Sequence, residues 1–339
     1  MLQTPKTGVL LVNLGTPDSP SVFDVGKYLR QFLMDGRVVD INPIGRFLLV
    51  NGIIVPFRSF KSAAVYKKVW TEQGSPLMVY GKQLAALLQS ALGESYVVSL
   101  AMRYQSPSIA DALKALQRPD IENIIVFPLF PQYASATTGS VHQEVMKQLG
   151  RWQLIPKVTF IDRYPDNAKM IGVFAELGRK YMNEHKFDHV IFSYHGLPQR
   201  QLRRADKECC QTNCCEPFTQ RNRLCYRSQC VQTSRLLAAQ LGLAESDYTI
   251  SFQSRLGNDP WIQPYTEDVI RELVKQGKKS VLAFSPSFVA DCLETIEEIG
   301  EEYKEVFEEE GGEHWQMVES LNTHPRWVEA VKQMIIEAN

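Results

Sequence analysis

The chain has 339 residues, of which 44% are hydrophobic and 10% aromatic. That is enough apolar material for two domains with a full core each, which excludes a disordered chain, a coiled coil and a disulfide-stapled miniprotein. Lys and Arg number 37 against 38 Asp and Glu, and a chain without a basic excess is not expected to bind nucleic acid.

Short apolar or β-branched runs alternate with helix-length amphipathic stretches, which is the pattern of βαβ units around parallel sheets. We predict strands at residues 9–14, 97–103, 123–127, 157–161, 189–194, 248–253, 280–284 and 314–318. We predict helices at 21–34, 82–92, 108–117, 138–149, 167–183, 229–241, 265–276, 292–309 and 325–337. Each half of the chain therefore carries four strands.

This alternation predicts an α/β fold of two Rossmann-like, doubly wound lobes, each with a four-stranded parallel sheet. The cleft between the lobes is the default position for a site. We assign the lobes to residues 1–165 and 166–320 and a C-terminal helix to 321–339.

Two segments, 40–69 and 199–224, break the alternation, and long segments without periodicity are usually functional loops. The apolar run at 44–57 is shorter than the roughly 20 residues of a membrane-spanning helix. We therefore predict that the chain does not cross a bilayer. The apolar run at 9–12 is too short for a signal peptide, which favours a cytoplasmic protein.

A histidine stands at the end of the predicted fifth strand, in the sequence SYHGLP at 193–198. Parallel strands deliver their last side chains to the edge of the sheet where ligands bind. A neutral His195 at this position is suited to accept protons at physiological pH. A hydrogen-bonded structural histidine is the alternative.

The predicted helix after the seventh strand carries Glu294, Glu298 and Glu302 at four-residue spacing, with Asp291 near its start. Like charges at this spacing repel each other, so a row of them suggests a path for cations or protons. Positions 297, 301, 305 and 309 are glutamates too, and an acidic solvent-exposed face is the alternative. Because side chains four apart drift about 40° per step in an α-helix, we predict a π-bulge between Asp291 and Glu302.

Six of the seven cysteines lie within residues 209–230. They are Cys209, Cys210, Cys214, Cys215, Cys225 and Cys230. In a reducing compartment such a cluster indicates metal binding rather than disulfides. Doubled cysteines and a four-residue gap differ from the spacing of most zinc sites, so we favour an iron–sulfur cluster over tetrahedral zinc.

The firmest predicted ligands are Cys225 and Cys230. The two doublets supply the others, and we choose Cys210 and Cys215 with Cys209 and Cys214 as alternates. The spacing of Cys225 and Cys230 puts them on different faces of a continuous helix. We therefore expect Cys225 in a loop and Cys230 in the first turn of a helix that ends before Gly242.

Seven motifs run in order along nearly the whole chain: VNLGTP at 12–17, GSPL at 74–77, MRYQSPSI at 102–109, FPQYASATTGS at 130–140, SYHGLP at 193–198, FQSRLGNDPWIQPYT at 252–266 and SFVADCLETIEEIGEEY at 287–303. In these motifs the chain resembles the ferrochelatases, which insert Fe2+ into a porphyrin in the last step of haem synthesis. The resemblance implies a lyase with protoporphyrin IX and Fe2+ as substrates. It also implies two Rossmann-like lobes with four-stranded parallel sheets.

By resemblance, His195 is the active-site histidine, Glu294 is the facing acid, and the Fe2+ substrate is expected at this pair. The residues implied to pass protons or metal along the helix are Asp291, Glu298 and Glu302. Those implied to line the porphyrin site are Leu14, Ser75, Tyr133, Trp261 and Phe288, with Arg103 and Tyr104 on the metal side. The chain departs from the family at Cys292, where many members have a histidine.

The resemblance also gives both irregular segments a role. The run at 44–57 matches the lip of the porphyrin cleft, which in several relatives faces the membrane. This implies peripheral contact with the inner face of the membrane. Some bacterial relatives hold a 2Fe-2S cluster on an internal cysteine segment like 209–230. Leu14, where coproporphyrin-using relatives tend to carry tyrosine, favours protoporphyrin IX.

Two other functions stay open at this point. A two-lobed protein that binds a metal or tetrapyrrole without chemistry, such as an iron–sulfur sensor, would share the fold, but the presence of both His195 and Glu294 argues against it. A cobalt or nickel chelatase acting on another tetrapyrrole is the enzymatic alternative, although such relatives are usually shorter and lack the segment 40–69.

Overall fold

The computed structural model describes residues 5–207, 209, 214–215, 217–257 and 259–339. Its strands are β1 Lys6–Gly15, β2 Tyr96–Tyr104, β3 Ile121–Pro128, β4 Lys157–Phe160, β5 His189–His195, β6 Tyr248–Gln253, β7 Ser280–Phe284 and β8 His314–Met317. The strands pair in parallel in two four-stranded sheets, with the orders β2-β1-β3-β4 and β6-β5-β7-β8. The predicted fold class is confirmed.

The strands were predictable because a parallel sheet buries both of its faces and so needs nearly continuous apolar runs. In β1, Val9, Leu10, Leu11 and Val12 are all fully buried. The residues at the carboxyl ends of such strands are the ones whose side chains can contribute to a binding site.

The helices follow the predicted alternation, with additions in the irregular segments. They are α1 Val22–Leu33, α2 Pro43–Leu48, α3 Val55–Val69, α4 Pro76–Leu92, α5 Ile109–Leu116, α6 Ser140–Leu149, α7 Ala168–Glu184, α8 Gln199–Ala205, α9 Tyr226–Leu241, α10 Thr266–Lys275, α11 Tyr303–Glu309 and α12 Pro325–Ala338. Side-chain oxygens of Ser21, Ser108 and Asn167 accept hydrogen bonds from backbone amides of the first turns of α1, α5 and α7. These caps fix the helix starts.

The segment 40–69 is not a loop. It forms α2, a π-helical turn over Leu49–Ile54 and α3, which together make one helix over Pro43–Val69. Its outward face is itself apolar, with exposed side chains at Ile44, Phe47, Leu48, Ile53, Phe57 and Phe60. Because the polar face that marks an amphipathic helix is missing from its first half, periodicity did not reveal it.

Within the part of the chain that the structure describes, this 27-residue helix is the one long and apolar enough to be a candidate membrane span. The prediction that the chain does not cross a bilayer considered only the shorter apolar run at 44–57. The other face of the helix packs on α1, where a Cβ at Gly26 would lie 3.0 Å from the Ser59 Oγ. Glycine at position 26 therefore allows a close helix–helix approach.

The chain divides into two compact units. The first runs to Phe130, resumes over Ala134–Arg163 and includes Asn322–Asn339, whereas the second comprises Pro131–Tyr133 and Tyr164–Leu321. In the first unit, the Asn339 side-chain oxygen at the end of α12 accepts hydrogen bonds from the Thr7 hydroxyl at 2.9 Å and the Asn123 amide at 2.7 Å. These contacts attach the last helix to β1 and β3.

Candidate active site

His195 is the last residue of β5 and is half-buried at the carboxyl end of the second sheet. Its Nδ1 lies 2.7 Å from the carbonyl oxygen of Gly196. Because a carbonyl oxygen only accepts, Nδ1 carries the hydrogen in the neutral ring and Nε2 is the basic nitrogen. The backbone thus selects the tautomer that a proton acceptor needs.

The backbone around His195 is fixed from two directions. On one side the Gly196 amide donates to the Gln253 carbonyl at 2.9 Å. On the other, the Tyr226 hydroxyl donates to the His195 carbonyl at 2.8 Å. A Cβ at Gly196 would come within 2.8 Å of the Gln253 oxygen and 3.1 Å of the Trp261 ring. Glycine at position 196 is therefore needed for this packing.

Trp261, one of the residues that the resemblance implies for the porphyrin site, lies beside the histidine. The two ring centroids are 6.4 Å apart, and the indole Nε1 donates to the Leu256 carbonyl at 3.0 Å. An antiparallel bridge between Pro198 and Trp261 joins the segment after β5 to the loop after β6. This bridge places a large, oriented aromatic side chain next to His195.

The acidic helix contains a π-helix over Glu294–Glu302, which continues into α11. The predicted π-bulge between Asp291 and Glu302 is confirmed. The Glu298 carboxylate accepts hydrogen bonds from the Gln253 amide, from the Ser254 amide and hydroxyl, and from the Tyr303 hydroxyl. It is therefore an anchor between the helix and the end of β6.

The other acids of the row lie in different surroundings. Glu294 is half-buried and contacts the Cys292 thiol, whose pKa is raised by its burial and by the Glu294 charge. Asp291 is buried, and its Oδ1 accepts from the Thr295 hydroxyl at 3.0 Å and the Ser320 amide at 3.1 Å. Glu302 is exposed. The row therefore runs from buried at its start to solvent at its end.

Gln253 is a site residue that the sequence analysis missed. Its side-chain oxygen accepts from the Ser193 hydroxyl at 2.9 Å, and its amide nitrogen donates to Glu298 at 3.0 Å. It thereby connects the strand that carries His195 with the acidic helix. Gln253 could have been proposed from its position at the end of β6, where it pairs with His195 of β5.

In the first unit, a buried ion pair organises the end of β2. Asp35 accepts hydrogen bonds from Arg103 at 2.8 Å, from the Tyr104 hydroxyl at 2.9 Å and from the Ser140 hydroxyl. Burial disfavours the charged carboxylate, but the bonds from Ser140 and the Arg37 amide and the charge of Arg103 outweigh burial and lower the pKa of Asp35. Burial and the Asp35 charge raise the pKa of Tyr104, so its phenol stays neutral.

The remaining predicted porphyrin contacts lie at element ends. Leu14 is half-buried at the end of β1, and Ser75, at the start of α4, accepts a hydrogen bond from Thr16 at 2.9 Å. Tyr133 and Phe288 are half-buried in the second unit. Leu14, Ser75 and the Asp35 network belong to the first unit, whereas His195, Trp261 and the acidic helix belong to the second.

The cysteine segment brings several sulfurs together. The Sγ atoms of Cys209 and Cys225 are 3.7 Å apart, those of Cys214 and Cys215 are 3.9 Å apart, and Cys215 also contacts Cys225. Contact with the Cys209 thiol raises the pKa of Cys225 to about 11. Among the described residues no group of three or more His, Cys, Asp or Glu is placed so that it could hold a metal ion.

The predicted position of Cys225 is borne out, because it precedes α9 with extended backbone. Cys230 was expected in the first turn of this helix, but α9 begins at Tyr226, so Cys230 lies just past the first turn, where it is fully buried. The helix ends at Leu241 with Gly242 in the left-handed conformation. Cys210, the fourth predicted ligand, lies outside the described residues.

Comparison with known proteins places the chain in a family. The ferrochelatase family profile matches residues 6–339. A ferrochelatase of Legionella pneumophila (strain Lens) is 44% identical over 334 residues, which cover 98% of this chain and 99% of that protein. The chain belongs to the ferrochelatase family. A ferrochelatase of Coxiella burnetii is likewise 44% identical over 332 residues, which cover 97% of this chain and 93% of that protein.

Solved structures support the same fold. SirB from Bacillus subtilis, solved with Fe3+, matches with a TM-score of 0.55 at 11% identity over 98% of this chain and 95% of that one. CbiX, the terminal enzyme of sirohaem biosynthesis in denitrifying bacteria, matches with a TM-score of 0.50 at 9% identity over 98% and 99%. At these identities the likeness concerns the fold alone. The family membership confirms the prediction of an enzyme that chelates metal in haem synthesis.

Proposed function

We propose that this ferrochelatase family member inserts Fe2+ into protoporphyrin IX to form protohaem, as a lyase in the last step of haem biosynthesis. Family membership supports the metal chelation. The choice of Fe2+ and protoporphyrin IX rests on the sequence resemblance, including leucine rather than tyrosine at position 14.

The observation that carries this proposal is the tautomer of His195. Metal insertion requires the porphyrin to lose two pyrrole N–H protons. The Nδ1–H of His195 is held by the Gly196 carbonyl at 2.7 Å, so Nε2 presents its lone pair at the carboxyl end of β5. A neutral imidazole in this orientation accepts a proton without first rearranging.

We assign the facing acid to Glu294 rather than to Glu298. Four donors already surround the Glu298 carboxylate, which fixes it as a support for the helix. Glu294 is half-buried on the same helix and is available to hold the incoming Fe2+ or to pass on the proton from His195. Asp291 and Glu302 extend the route for protons or metal toward the two ends of the π-helix.

We further propose that the macrocycle contacts Leu14, Ser75, Tyr133, Trp261 and Phe288, with Arg103 and Tyr104 on the metal side. A planar porphyrin must buckle before two pyrrole lone pairs can reach a metal. A site complementary to the bent ring uses binding energy to drive this distortion. Trp261, held by its Nε1 hydrogen bond to Leu256, is a rigid surface for that purpose.

We propose that the cysteine segment holds a 2Fe-2S cluster. Two thiolates bound at about 2.3 Å to one tetrahedral metal lie about 3.8 Å apart, and the Cys209 and Cys225 sulfurs are 3.7 Å apart. Cys215 contacts Cys225, and Cys230 is buried nearby. In this proposal Cys215, Cys225 and Cys230 supply three thiolates and the first doublet supplies the fourth, Cys210 with Cys209 as the alternate.

We propose that the apolar face of α2 and α3 contacts the membrane surface from the cytoplasmic side. Ile44, Phe47 and Phe57 are exposed on this helix, and an exposed apolar patch of this kind marks an interaction surface. Arg58, Lys61 and Lys67 follow along the same helix, which favours a helix lying on anionic headgroups.

The test of this assignment separates binding from chemistry. His195→Ala and Glu294→Gln should each abolish iron insertion while leaving the protoporphyrin IX dissociation constant within tenfold, because they act on the barrier rather than on ground-state affinity. Turnover would be followed anaerobically and binding by quenching of tryptophan fluorescence. Turnover near wild type in either variant would remove that residue from the mechanism.

A further inference from the structure

Four buried polar side chains lie in the second unit next to His195. Ser193 and Ser251 are paired in the register of β5 and β6, and Gln253 is paired with His195. Because side chains two residues apart share a face of a strand, these three side chains lie on the same face of the sheet as His195. Thr266, the first residue of α10, bonds to both serines. All four polar residues are at most 1% exposed.

The hydrogen bonds among these side chains run in one direction. A carboxylate only accepts, so the Gln253 amide nitrogen faces Glu298 at 3.0 Å and the Gln253 oxygen accepts from the Ser193 hydroxyl at 2.9 Å. Since Ser193 then has no second hydrogen, Thr266 donates to Ser193 and Ser251 donates to Thr266, each at 2.9 Å. Hydrogen bonds aligned in this way strengthen one another.

This hydrogen-bond chain ends where the acidic helix meets the end of β6. The Glu298 carboxylate accepts from the Gln253 side chain and from the amide and hydroxyl of Ser254. Ser254 has a φ of 63°, and a residue other than glycine keeps such a left-handed backbone only where its surroundings hold it. Because Glu294 lies four residues before Glu298 in the same π-helix, the anchoring of Glu298 also fixes Glu294 relative to the sheet.

We propose that Ser193 is a positioning residue for metal insertion. Through the Gln253 amide it holds the Glu298 carboxylate in place. It thereby keeps Glu294 at a fixed separation from His195, which lies two residues after Ser193 on β5. The inference rests on the proposed roles of His195 and Glu294 in iron chelation. Positioning matters because a shift of about 1 Å at reacting groups can cost about 100-fold in rate.

Ser251 provides a matched control for Ser193. Both serines are fully buried, are paired across β5 and β6 and bond to Thr266. Ser193→Ala interrupts the chain and leaves the Gln253 oxygen without its donor, whereas Ser251→Ala removes only the first donor of the chain. Equal melting temperatures of the two variants would show that their folds are equally retained.

The first readout is turnover with Fe2+ and protoporphyrin IX. Ser193→Ala should lower kcat roughly fivefold with the KM for protoporphyrin IX unchanged, because one positioning hydrogen bond is lost. Ser251→Ala should stay within twofold of wild type. Wild-type kcat in Ser193→Ala, or an equal loss in both serine variants, would overturn the positioning role.

A double variant tests whether Ser193 acts through Gln253. Gln253→Met removes the amide and keeps a side chain of similar length, and it should lower kcat by itself. Adding Ser193→Ala to Gln253→Met should cause no further loss of kcat, because the route from the serine to Glu298 is already broken. Losses that multiply in the double variant would contradict the proposed route.

The last readout does not depend on activity. Hydrogen exchange of the Ser254 amide, which donates to Glu298 at 2.8 Å, would be measured by mass spectrometry of peptides that span the end of β6. Exchange should be at least threefold faster in Ser193→Ala than in wild type and unchanged in Ser251→Ala. Equal rates in the two serine variants would refute the link between Ser193 and Glu298. If wild type inserts no Fe2+ into protoporphyrin IX, the proposed function fails, whereas the exchange rates still decide this link.

Discussion

The buried ion pair between Asp35 and Arg103 gives the sharpest stability prediction. The two side chains are 9% and 14% exposed, and Asp35 also accepts from the Tyr104 and Ser140 hydroxyls. Asp35→Asn keeps the shape and removes the charge, which leaves the guanidinium without its carboxylate. Breaking a buried pair costs about 3–5 kcal/mol. Because Arg103 keeps its bonds to the Ser140 carbonyl and hydroxyl, we expect a loss of about 2–3 kcal/mol.

The loss would be measured as the change in the free energy of unfolding in urea at pH 7. Asp18→Asn is the control, because Asp18 pairs with Lys27 in a half-exposed ion pair and should change stability by less than about 0.5 kcal/mol. The pKa of Asp35 is lowered from 3.8, so its contribution is complete above pH 3.8 and is lost as the pH falls through the lower folded value. A loss below about 1 kcal/mol, or equal losses in both variants, would refute this reasoning.

Three further predictions concern pH, metal and membrane. Burial lowers the pKa of His189 to about 4. Between pH 6.5 and 4 the unfolded chain therefore binds one more proton than the folded protein, and the free energy of unfolding decreases as the pH is lowered. His189→Gln should reduce that slope by up to about 1.4 kcal/mol per pH unit, and an unchanged slope in urea titrations would contradict it. The purified protein should be red-brown with near-stoichiometric iron and sulfide, and Cys225→Ser should be colourless. Bound zinc, or full activity without metal in this segment, would contradict the cluster. Phe57→Ser should weaken sedimentation of the protein with anionic vesicles, whereas Leu154→Ser should not, because Leu154 is exposed but lies outside the helix. Equal effects of the two substitutions would argue against the membrane contact.

Much of the fold could be predicted because burial and helix capping each require particular residue types within a few neighbouring positions. Fully buried runs such as 9–12 leave few alternatives to a parallel strand, and the serine caps at Ser21 and Ser108 mark helix starts. The helix over Pro43–Val69 was not predicted because its sequence lacks such a pattern. The exposed face of its first half is apolar, so the contrast between faces that identifies a surface helix is absent there.

The sequence predicts His195 and Glu294 as the main residues of the candidate site but gives no sign of the residues that support them. His195 is the last residue of β5, and Glu294 lies on the helix that follows β7, so both could be proposed from position and resemblance. Asp35 lies 68 residues from Arg103, and Gln253 lies 45 residues from Glu298. Contacts over such separations leave no local pattern in one sequence. The different surroundings of Glu298 and Glu302 likewise emerge only from the packing of the helix.

The most direct test of the central claim is anaerobic insertion of Fe2+ by the wild-type protein, followed by the loss of porphyrin fluorescence. We expect rapid loss with protoporphyrin IX, formation of protohaem in the absorption spectrum, and markedly slower turnover with coproporphyrin III. No insertion of Fe2+ into protoporphyrin IX, or a clear preference for coproporphyrin III, would contradict the proposed reaction.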